Sequence, residues 1–135
     1  MPIKYAWGNG DPRVDGKNAA NIADQSVRTD FPHLQVWDAY DDGYTYTAPV
    51  GSFAPNPLGL YDMTGNVWEW VLDNYDNQAY RKSGTDNPIF VSGSTSHGIR
   101  GGSWDDSTDL RCSVRDGDIA TNRDNNEGFR VVRSR

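Results

Sequence analysis

Short apolar runs separated by long polar stretches are the dominant pattern of this chain of 135 residues. Residues 67–73 combine β-branched and aromatic side chains between Asn66 and Asn74, which predicts a buried strand. Residues 110–115 alternate apolar and polar side chains, which predicts a half-buried strand. Residues 128–133 predict a closing strand. The pattern therefore predicts a fold with few, short strands.

Turn-forming and polar residues fill the spaces between these runs. Residues 77–98 and 116–127 are almost entirely polar and predict surface loops. Residues 18–24 predict a short helical turn, and the alternation over residues 44–47 predicts a short strand. Because no repeat and no linker divides the chain, we expect a single domain over residues 1–135.

Composition strengthens the picture of a loop-rich, folded chain. The sequence has 17 Asp against 2 Glu, with 14 Gly and 7 Pro, and these residues favour turns over helices. Five Trp, seven Tyr and four Phe argue against disorder, and we expect Trp68, Trp70, Trp104 and Phe129 in the core. A net charge of −6 argues against duplex nucleic acid as a partner. No apolar run approaches the roughly 20 residues of a membrane span.

A single cysteine, Cys112, excludes an internal disulfide bond. Its place in the alternating run predicts a small core residue rather than a reactive thiol. A small loop-rich domain needs another source of stability, and a bound metal, a homo-oligomer or further chain are the alternatives. We also expect Arg115, Arg123 and Arg130 to donate hydrogen bonds to loop carbonyls or Asp side chains.

Four motifs follow one another along the chain. Residues 5–8 are Tyr-Ala-Trp-Gly, 57–70 are Pro-Leu-Gly-Leu-Tyr-Asp-Met-Thr-Gly-Asn-Val-Trp-Glu-Trp, 100–104 are Arg-Gly-Gly-Ser-Trp and 128–132 are Gly-Phe-Arg-Val-Val. Together they resemble the formylglycine-generating-enzyme (sulfatase-modifying-factor) domain family. The resemblance implies an α+β, C-type-lectin-like fold of short antiparallel strands with long loops and little helix. Domains of that family usually have a further N-terminal half, so the chain is expected to be a minimal version or a fragment.

Two oxygen-rich loops are candidate calcium sites. Calcium takes six to eight oxygen ligands from carboxylates, amides and carbonyls in flexible turns, and Asp62 and Glu69 lie close together in such a turn. The resemblance implies that side chains of Asp62 and Glu69, with the carbonyls of Gly65 and Val67, form one site. It implies a second site from the side chains of Asn21 and Asp42 and the carbonyls of Ile22 and Tyr44. The alternative is that Asp62 only caps a turn and Glu69 faces solvent.

Two catalytic branches of the family are not expected here. The family's oxidases use copper and two cysteines after the Gly-Gly-Ser motif, whereas this chain has Asp106 and Arg111 at those positions. One cysteine cannot supply two thiolates. A second branch, the ergothioneine-type sulfoxide synthases, uses iron held by histidines of a separate helical domain, whereas this chain has only His33 and His97. We therefore expect no enzymatic activity, and neither copper nor iron.

The polar residues 105–127, called the display segment below, are the candidate ligand-binding face. They resemble the variable region of diversity-generating-retroelement proteins, in which adenine-directed mutagenesis of asparagine codons yields Asp, Ser, Thr, Gly and Ile. The resemblance implies a ligand-binding set made of Trp104, Asp105, Asp106, Ser107, Asp109, Asp116, Gly117, Asp118, Ile119, Thr121, Asn122, Asp124, Asn125 and Asn126.

The same resemblance implies a protein or other macromolecule as the ligand and a place at the cell surface or on a virion. The alternative is a catalytically inactive or incomplete family member that acts as an accessory module, for which a cytoplasmic place is expected. Either way the sequence predicts binding rather than catalysis.

Overall fold

The computed structural model describes residues 2–86 and 88–133 of the chain. Its regular elements are short and are joined by long loops. In chain order they are β1 (Arg13–Val14), β2 (Lys17–Asn18), a 3₁₀ helix (Gln25–Val27), β3 (Trp68–Asn74), α1 (Ala79–Lys82), β4 (Ser96–Arg100), β5 (Arg115–Ile119) and β6 (Glu127–Gly128). Within the described residues, no helix is long and apolar enough to cross a membrane.

The main sheet has four strands in the order β5-β4-β3-β6, and β1 and β2 form a separate two-stranded sheet. Strand β4 lies antiparallel between β3 and β5, and Arg100 faces Glu69 on one side and Arg115 on the other. The register between β3 and β4 shifts beyond Trp70. Strand β6 pairs with β3 in parallel, in contrast to the antiparallel pairs elsewhere in the sheet, and brings the C-terminal motif beside the central one.

The predicted strand over residues 67–73 is confirmed as β3, although its burial is uneven. Trp68 and Asn74 are buried, whereas Leu72 is 74% exposed. Trp70 is half-buried. The strand is therefore a central sheet element with one partly open face, and the prediction that the whole run is buried is wrong.

The predicted strand over residues 110–115 is wrong. Residues 111–113 form a turn in which the Val114 amide donates to the Arg111 carbonyl, and the Cys112 amide donates to the Lys4 carbonyl. Cys112 is exposed, so its predicted core position is also wrong. The strand in this region is Arg115–Ile119, within a stretch predicted as a surface loop. Pairing with β4 outweighs the low strand propensity of its Asp and Gly residues.

Three further local predictions differ from the structure. The closing strand covers only Glu127–Gly128, and Phe129 is 76% exposed rather than in the core, because the chain leaves the sheet after two residue pairs with β3. Residues 18–24 contain no helical turn, and residues 44–47 contain no strand. Residues 77–98 include α1 and most of β4 as well as loop. Tertiary contacts, rather than local pattern, decide these short elements.

The core consists largely of loop residues from the first third of the chain. One cluster contains Tyr5 and Trp7, whose rings stack with centroids 4.6 Å apart, together with Ile22, Tyr40 and Leu110. A second contains Ala23, Val27 and Trp104. As predicted, Trp68 and Trp104 are buried. Because the buried aromatic side chains lie under the N-terminal loops, β5 and the chain beyond it remain near the surface.

Candidate functional site

The display segment, residues 105–127, lies at the surface over most of its length. Its one fully buried side chain is Leu110, which is 1% exposed and packs in the first core cluster. The segment leaves the core at Trp104, contributes β5 and ends at β6. The predicted exposure of this stretch is confirmed, and a single apolar anchor holds its first turn.

The beginning of the display segment is tied to the scaffold by two carboxylates. Ser103 is fully buried, and its Oγ lies 2.6 Å from Asp105 Oδ1 and 2.6 Å from Asp106 Oδ2. The Ser103 amide also donates to Asp106 Oδ2, and Asn126 Nδ2 donates to Asp105 over 3.2 Å. Burial raises the pKa of Asp106, and the charge of Asp105 acts in the same direction. These contacts close the two ends of the segment on each other.

Trp104 was predicted to contact the ligand, but it lies in the core. Its side chain is 3% exposed, and its ring centroid is 5.4 Å from Phe31 and 5.0 Å from Tyr46. A ligand at the surface of the segment cannot reach it without unfolding this aromatic cluster. Trp104 is therefore a supporting residue beneath the face.

Residues 116–125 are called the tip below, and they include the longest exposed run of the display segment, residues 119–125. Asp116, Asp118 and Asp124 each accept a hydrogen bond from the amide of the following residue, at 2.6–2.7 Å. Asp118 also accepts from Asn122. The Ile119 amide, followed by Asn122, lowers the pKa of Asp118. Because these bonds stay within the tip, the core does not depend on them.

Two predicted members of the tip and its surroundings have constrained positions. A Cβ atom on Gly117 would lie 2.1 Å from Cγ of Tyr75, so the tyrosine ring rests directly on the glycine backbone. The Ser107 carbonyl accepts from Trp37 Nε1 at 2.7 Å. Asp109, Thr121 and Asn125 are exposed. Gly117 therefore acts through its lack of a side chain.

The second oxygen-rich loop brings together all four of its predicted residues. Both oxygens of Asp42 accept backbone hydrogen bonds, from Ile22 at 2.9 Å and from Tyr44 at 2.8 Å. The side-chain oxygen of Asn21 is buried and has no hydrogen-bond partner, while its Nδ2 donates to the Tyr46 carbonyl. An unpartnered buried acceptor beside a carboxylate is an arrangement that a cation would complete.

A carboxylate that the sequence did not single out supports this loop. Asp24 is fully buried and accepts hydrogen bonds from the amides of Ser26 and Asp42. Burial raises the pKa of Asp42 to about 7, and Asp24 adds to the shift. The Asp-Gln-Ser sequence at the start of the 3₁₀ helix is a capping signal that could have identified Asp24. The two carboxylates are held by backbone amides and by the Ser26 hydroxyl.

The first oxygen-rich loop differs because a guanidinium already lies in it. Asp62, Gly65, Val67 and Glu69 line one cavity of about 490 Å³ together with Arg130. Arg130 donates to both oxygens of Glu69, to the Tyr61 carbonyl at 3.1 Å and to the Asp62 carbonyl at 3.0 Å. The prediction that Arg130 bonds to loop carbonyls is confirmed.

Carboxylate clusters are therefore a weak guide to metal binding in this chain. Across residues 2–86 and 88–133, no three His, Cys, Asp or Glu side chains lie close enough together to hold an ion. Both loops depend on amide and carbonyl oxygens for the remaining ligands. The residues of the second loop fit calcium, whereas Arg130 supplies the positive charge in the first.

Other residues occupy the positions at which the oxidases of the family have their catalytic cysteines. Asp106 is hydrogen-bonded to Ser103, Arg111 is exposed, and Cys112 is an exposed single thiol. His33 is also exposed, and His97 lies on β4 opposite Asp118. This arrangement brings neither a pair of thiols nor a pair of histidines together.

Comparison with known sequences gives a match over nearly the whole chain. A family model described as the sulfatase-modifying factor enzyme 1-like domain matches residues 3–135. The formylglycine-generating enzyme of Streptomyces coelicolor is 34% identical over 133 residues, which are 96% of this chain and 40% of the enzyme. The inactive C-alpha-formylglycine-generating enzyme 2 of Mus musculus is 34% identical over 104 residues, 72% of this chain and 29% of the relative. The chain spans well under half the length of these relatives.

Comparison with solved structures gives two informative matches. PvdO from Pseudomonas aeruginosa superposes with a TM-score of 0.66 at 31% identity, over 88% of this chain and 42% of PvdO. Variable protein 1 of Treponema denticola superposes with a TM-score of 0.53 at 30% identity, over 69% of this chain and 34% of that protein. These similarities confirm the predicted α+β, C-type-lectin-like fold.

Proposed function

The chain belongs to the family of the sulfatase-modifying factor enzyme 1-like domain, and from this premise we propose that it is a non-catalytic member that binds a macromolecule through the tip of its display segment. The main support is that different parts of residues 105–127 make different contacts. Its first residues are tied to Ser103, whereas the tip side chains bond locally and face solvent. The exposed residues 119–125 can therefore change without loss of the fold, whereas Gly117 is constrained by Tyr75.

The similarity to a solved variable protein supports the same proposal. Variable protein 1 shares the fold and 30% of the aligned residues. A surface whose side chains change requires a scaffold that does not rely on them. In this chain the contacts between the two core clusters and the display segment fall on its first residues: Leu110 packs in the first cluster, and the carbonyls of Asp106 and Ser107 accept from Ala23 and Trp37.

The charge of the display segment indicates the chemistry of a partner. Residues 105–127 contain six Asp and one Glu against three Arg. Hydrogen bonding holds the pKa of Asp118 below its usual range, so this tip carboxylate is ionised at neutral pH. A face of this sign attracts a basic surface and speeds its association. We therefore propose a protein partner with a basic patch.

Support for the absence of catalysis comes from the oxidase positions. The oxidase chemistry expected from the resemblance needs two thiolates, and Asp106 and Arg111 stand at those positions while Cys112 is alone. A direct assay tests this part. The purified chain, supplied with copper and a cysteine-containing sulfatase peptide, is expected to leave the cysteine unoxidised by mass spectrometry. Formation of formylglycine would contradict the proposal.

A second assay tests the binding face itself. Thr121, Asn122, Asp124 and Asn125 are randomised in a surface-displayed library, and Ser103, Asp105, Asp106 and Asn126 are randomised in a matched library. Most members of the first library are expected to fold, and binders of hen lysozyme, a basic probe protein, are expected to emerge from it. Loss of folding at the same frequency in both libraries would show that the tip is structural.

The genomic neighbourhood supplies an independent test of variability. We expect a near-identical, asparagine-rich copy of the sequence for residues 105–127 beside a gene for a reverse transcriptase. Absence of such a copy in the complete genome would favour the second candidate, an inactive or incomplete family module that assists a larger protein. The similarity to the inactive C-alpha-formylglycine-generating enzyme 2 of Mus musculus, 34% identical over 104 residues, is the observation that favours this candidate.

A further inference from the structure

A cavity of about 290 Å³ lies between the main sheet and the loop that follows β3. Strands β3, β4 and β5 form one wall through Val71, Gly98 and Arg115, and Tyr75 and Phe90 stand on the loop side. A volume of this size is close to the lower end of small-molecule sites. Among the lining residues, Arg115 belongs to the display segment but lies outside the tip, so a ligand in the cavity would be separate from the macromolecular face.

An arginine held by aromatic rings is one of the two guanidinium groups that line this cavity, and the polar residues Asp73, Asn74 and Ser83 also line it. The Arg115 guanidinium lies 4.6 Å from the ring centroid of Tyr80 and 5.3 Å from that of Tyr75. Its Nη1 donates to the Asp76 carbonyl at 2.7 Å. Cation–π contacts and a backbone bond fix the plane of the guanidinium. The group is therefore oriented in advance for a planar acceptor.

A second arginine stands directly opposite on the neighbouring strand. Arg100 pairs in register with Arg115, and it donates to the carbonyls of Cys112 and Val114 and to Tyr80 Oη. The nearby Asp76 pairs with Lys82 at 2.6 Å, and Asp73, which also lines the cavity, accepts from the Phe90 amide. Like charges opposite each other in a sheet destabilise the pair. An anion between them would relieve that repulsion.

The remaining walls select the kind of anion. Val71 and Phe90 give the cavity an apolar wall that suits a ring. A carboxylate is the anionic group that can form two parallel hydrogen bonds with a guanidinium. We propose that this cavity binds a small organic anion in which a carboxylate is attached to a planar ring, with the carboxylate at Arg115. The proposal goes beyond the display function and does not depend on it, because most of the cavity wall lies outside residues 105–127.

Gly117 controls the shape of the cavity through Tyr75. The tyrosine ring occupies the space of the missing Cβ, and a methyl group there would lie 2.1 Å from the ring. Substitution of Gly117 by alanine must therefore displace the Tyr75 ring, which lines the cavity. Gly117, which the sequence analysis placed in the ligand-binding set, therefore affects this cavity by fixing where Tyr75 lies.

Titration with benzoate, monitored by protein NMR, tests the proposal, with neutral benzamide as the matched probe. Benzoate is expected to saturate and to shift the amide resonances of residues 75, 98 and 115, and benzamide is expected to bind at least about tenfold more weakly because it lacks the charge-assisted contact. Equal binding of the two probes to the unmodified protein, or no saturable benzoate binding, would overturn the proposal.

Variants locate the site. Arg115→Gln is expected to weaken benzoate at least about tenfold, and Gly117→Ala is expected to weaken it through displacement of Tyr75. Arg123→Gln, which removes an exposed charge from the same segment, is expected to leave affinity unchanged. Equal losses in Arg115→Gln and Arg123→Gln would show a general charge effect and overturn the assignment. If Arg115→Gln does not fold, the comparison of benzoate with benzamide on the unmodified protein still tests the proposal.

Discussion

The loops around Asp62 and Asp42 contain similar oxygen-rich residues, and their carboxylates are balanced in different ways. At the first loop, Arg130 binds both oxygens of Glu69 and reaches two carbonyls. At the second, Asp42 and Asp24 are buried with backbone donors, and the Asn21 oxygen has no partner. The comparison teaches that similar carboxylates can be balanced by a guanidinium in one loop and by buried backbone amides in another.

Removal of the Asp42 carboxylate is expected to have the largest effect on stability. Asp42→Ala leaves the buried amide of Ile22 and that of Tyr44 without acceptors, and we expect a loss of about 2–5 kcal/mol in the free energy of unfolding. Urea denaturation measures it. Asp41→Ala is the matched control, because Asp41 is exposed and its carboxylate accepts from the nearby Gly43 amide among the described contacts. Equal losses would contradict the importance of burial.

Calcium separates the two loops next. If calcium binds in the second loop, a free calcium concentration of one hundred times the dissociation constant is expected to raise the free energy of unfolding by about 2.7 kcal/mol. Asp42→Asn is expected to abolish the rise in melting temperature, and Asp62→Asn is expected to keep it. Thermal melts with calcium and with chelator measure the response. A response that needs Asp62 and not Asp42 would reverse the assignment.

Arg130 gives a smaller and more specific effect. Its pair with Glu69 is partly exposed, so Arg130→Gln is expected to lower the free energy of unfolding by about 1 kcal/mol, and less at high salt. The same variant leaves Glu69 without its cation and is expected to add a calcium response at the first loop. Arg130→Lys, which keeps the charge, is the control. No added response in Arg130→Gln would show that the guanidinium does not stand in for a metal.

A third carboxylate, Asp106, extends the comparison to a loop in which a hydroxyl group donates to the carboxylate. We expect the smallest effect on stability at this residue. Burial raises the pKa of Asp106, so its carboxyl group keeps its proton to a higher pH in the folded protein than in the unfolded chain. Its contribution to stability therefore falls as the pH rises from the ordinary pKa of 3.8 through the raised value. Asp106→Asn is expected to remove that decline in urea midpoints between acidic and neutral pH. An unchanged pH profile would contradict the inferred shift.

Local pattern predicted those parts of the fold whose own residues favour one structure. Residues 67–73 are β-branched and aromatic, and β3 forms there. The pattern failed at β5, whose Asp and Gly residues have little strand propensity. That strand exists because β4 supplies its hydrogen bonds and because Gly117 leaves room for Tyr75. It also failed at Phe129, since the chain leaves the sheet just before it.

The sequence by itself determined the family and the fold, because the motifs over residues 57–70 and 100–104 keep their residues and spacing. It also identified the residues of both oxygen-rich loops. Only the tertiary structure decided their electrostatic state, since Arg130 reaches Glu69 across 61 residues of sequence and Asp24 supports Asp42 across 18. Charge balance in a buried loop depends on which distant groups the fold brings within a few ångströms, and a linear pattern does not contain that distance.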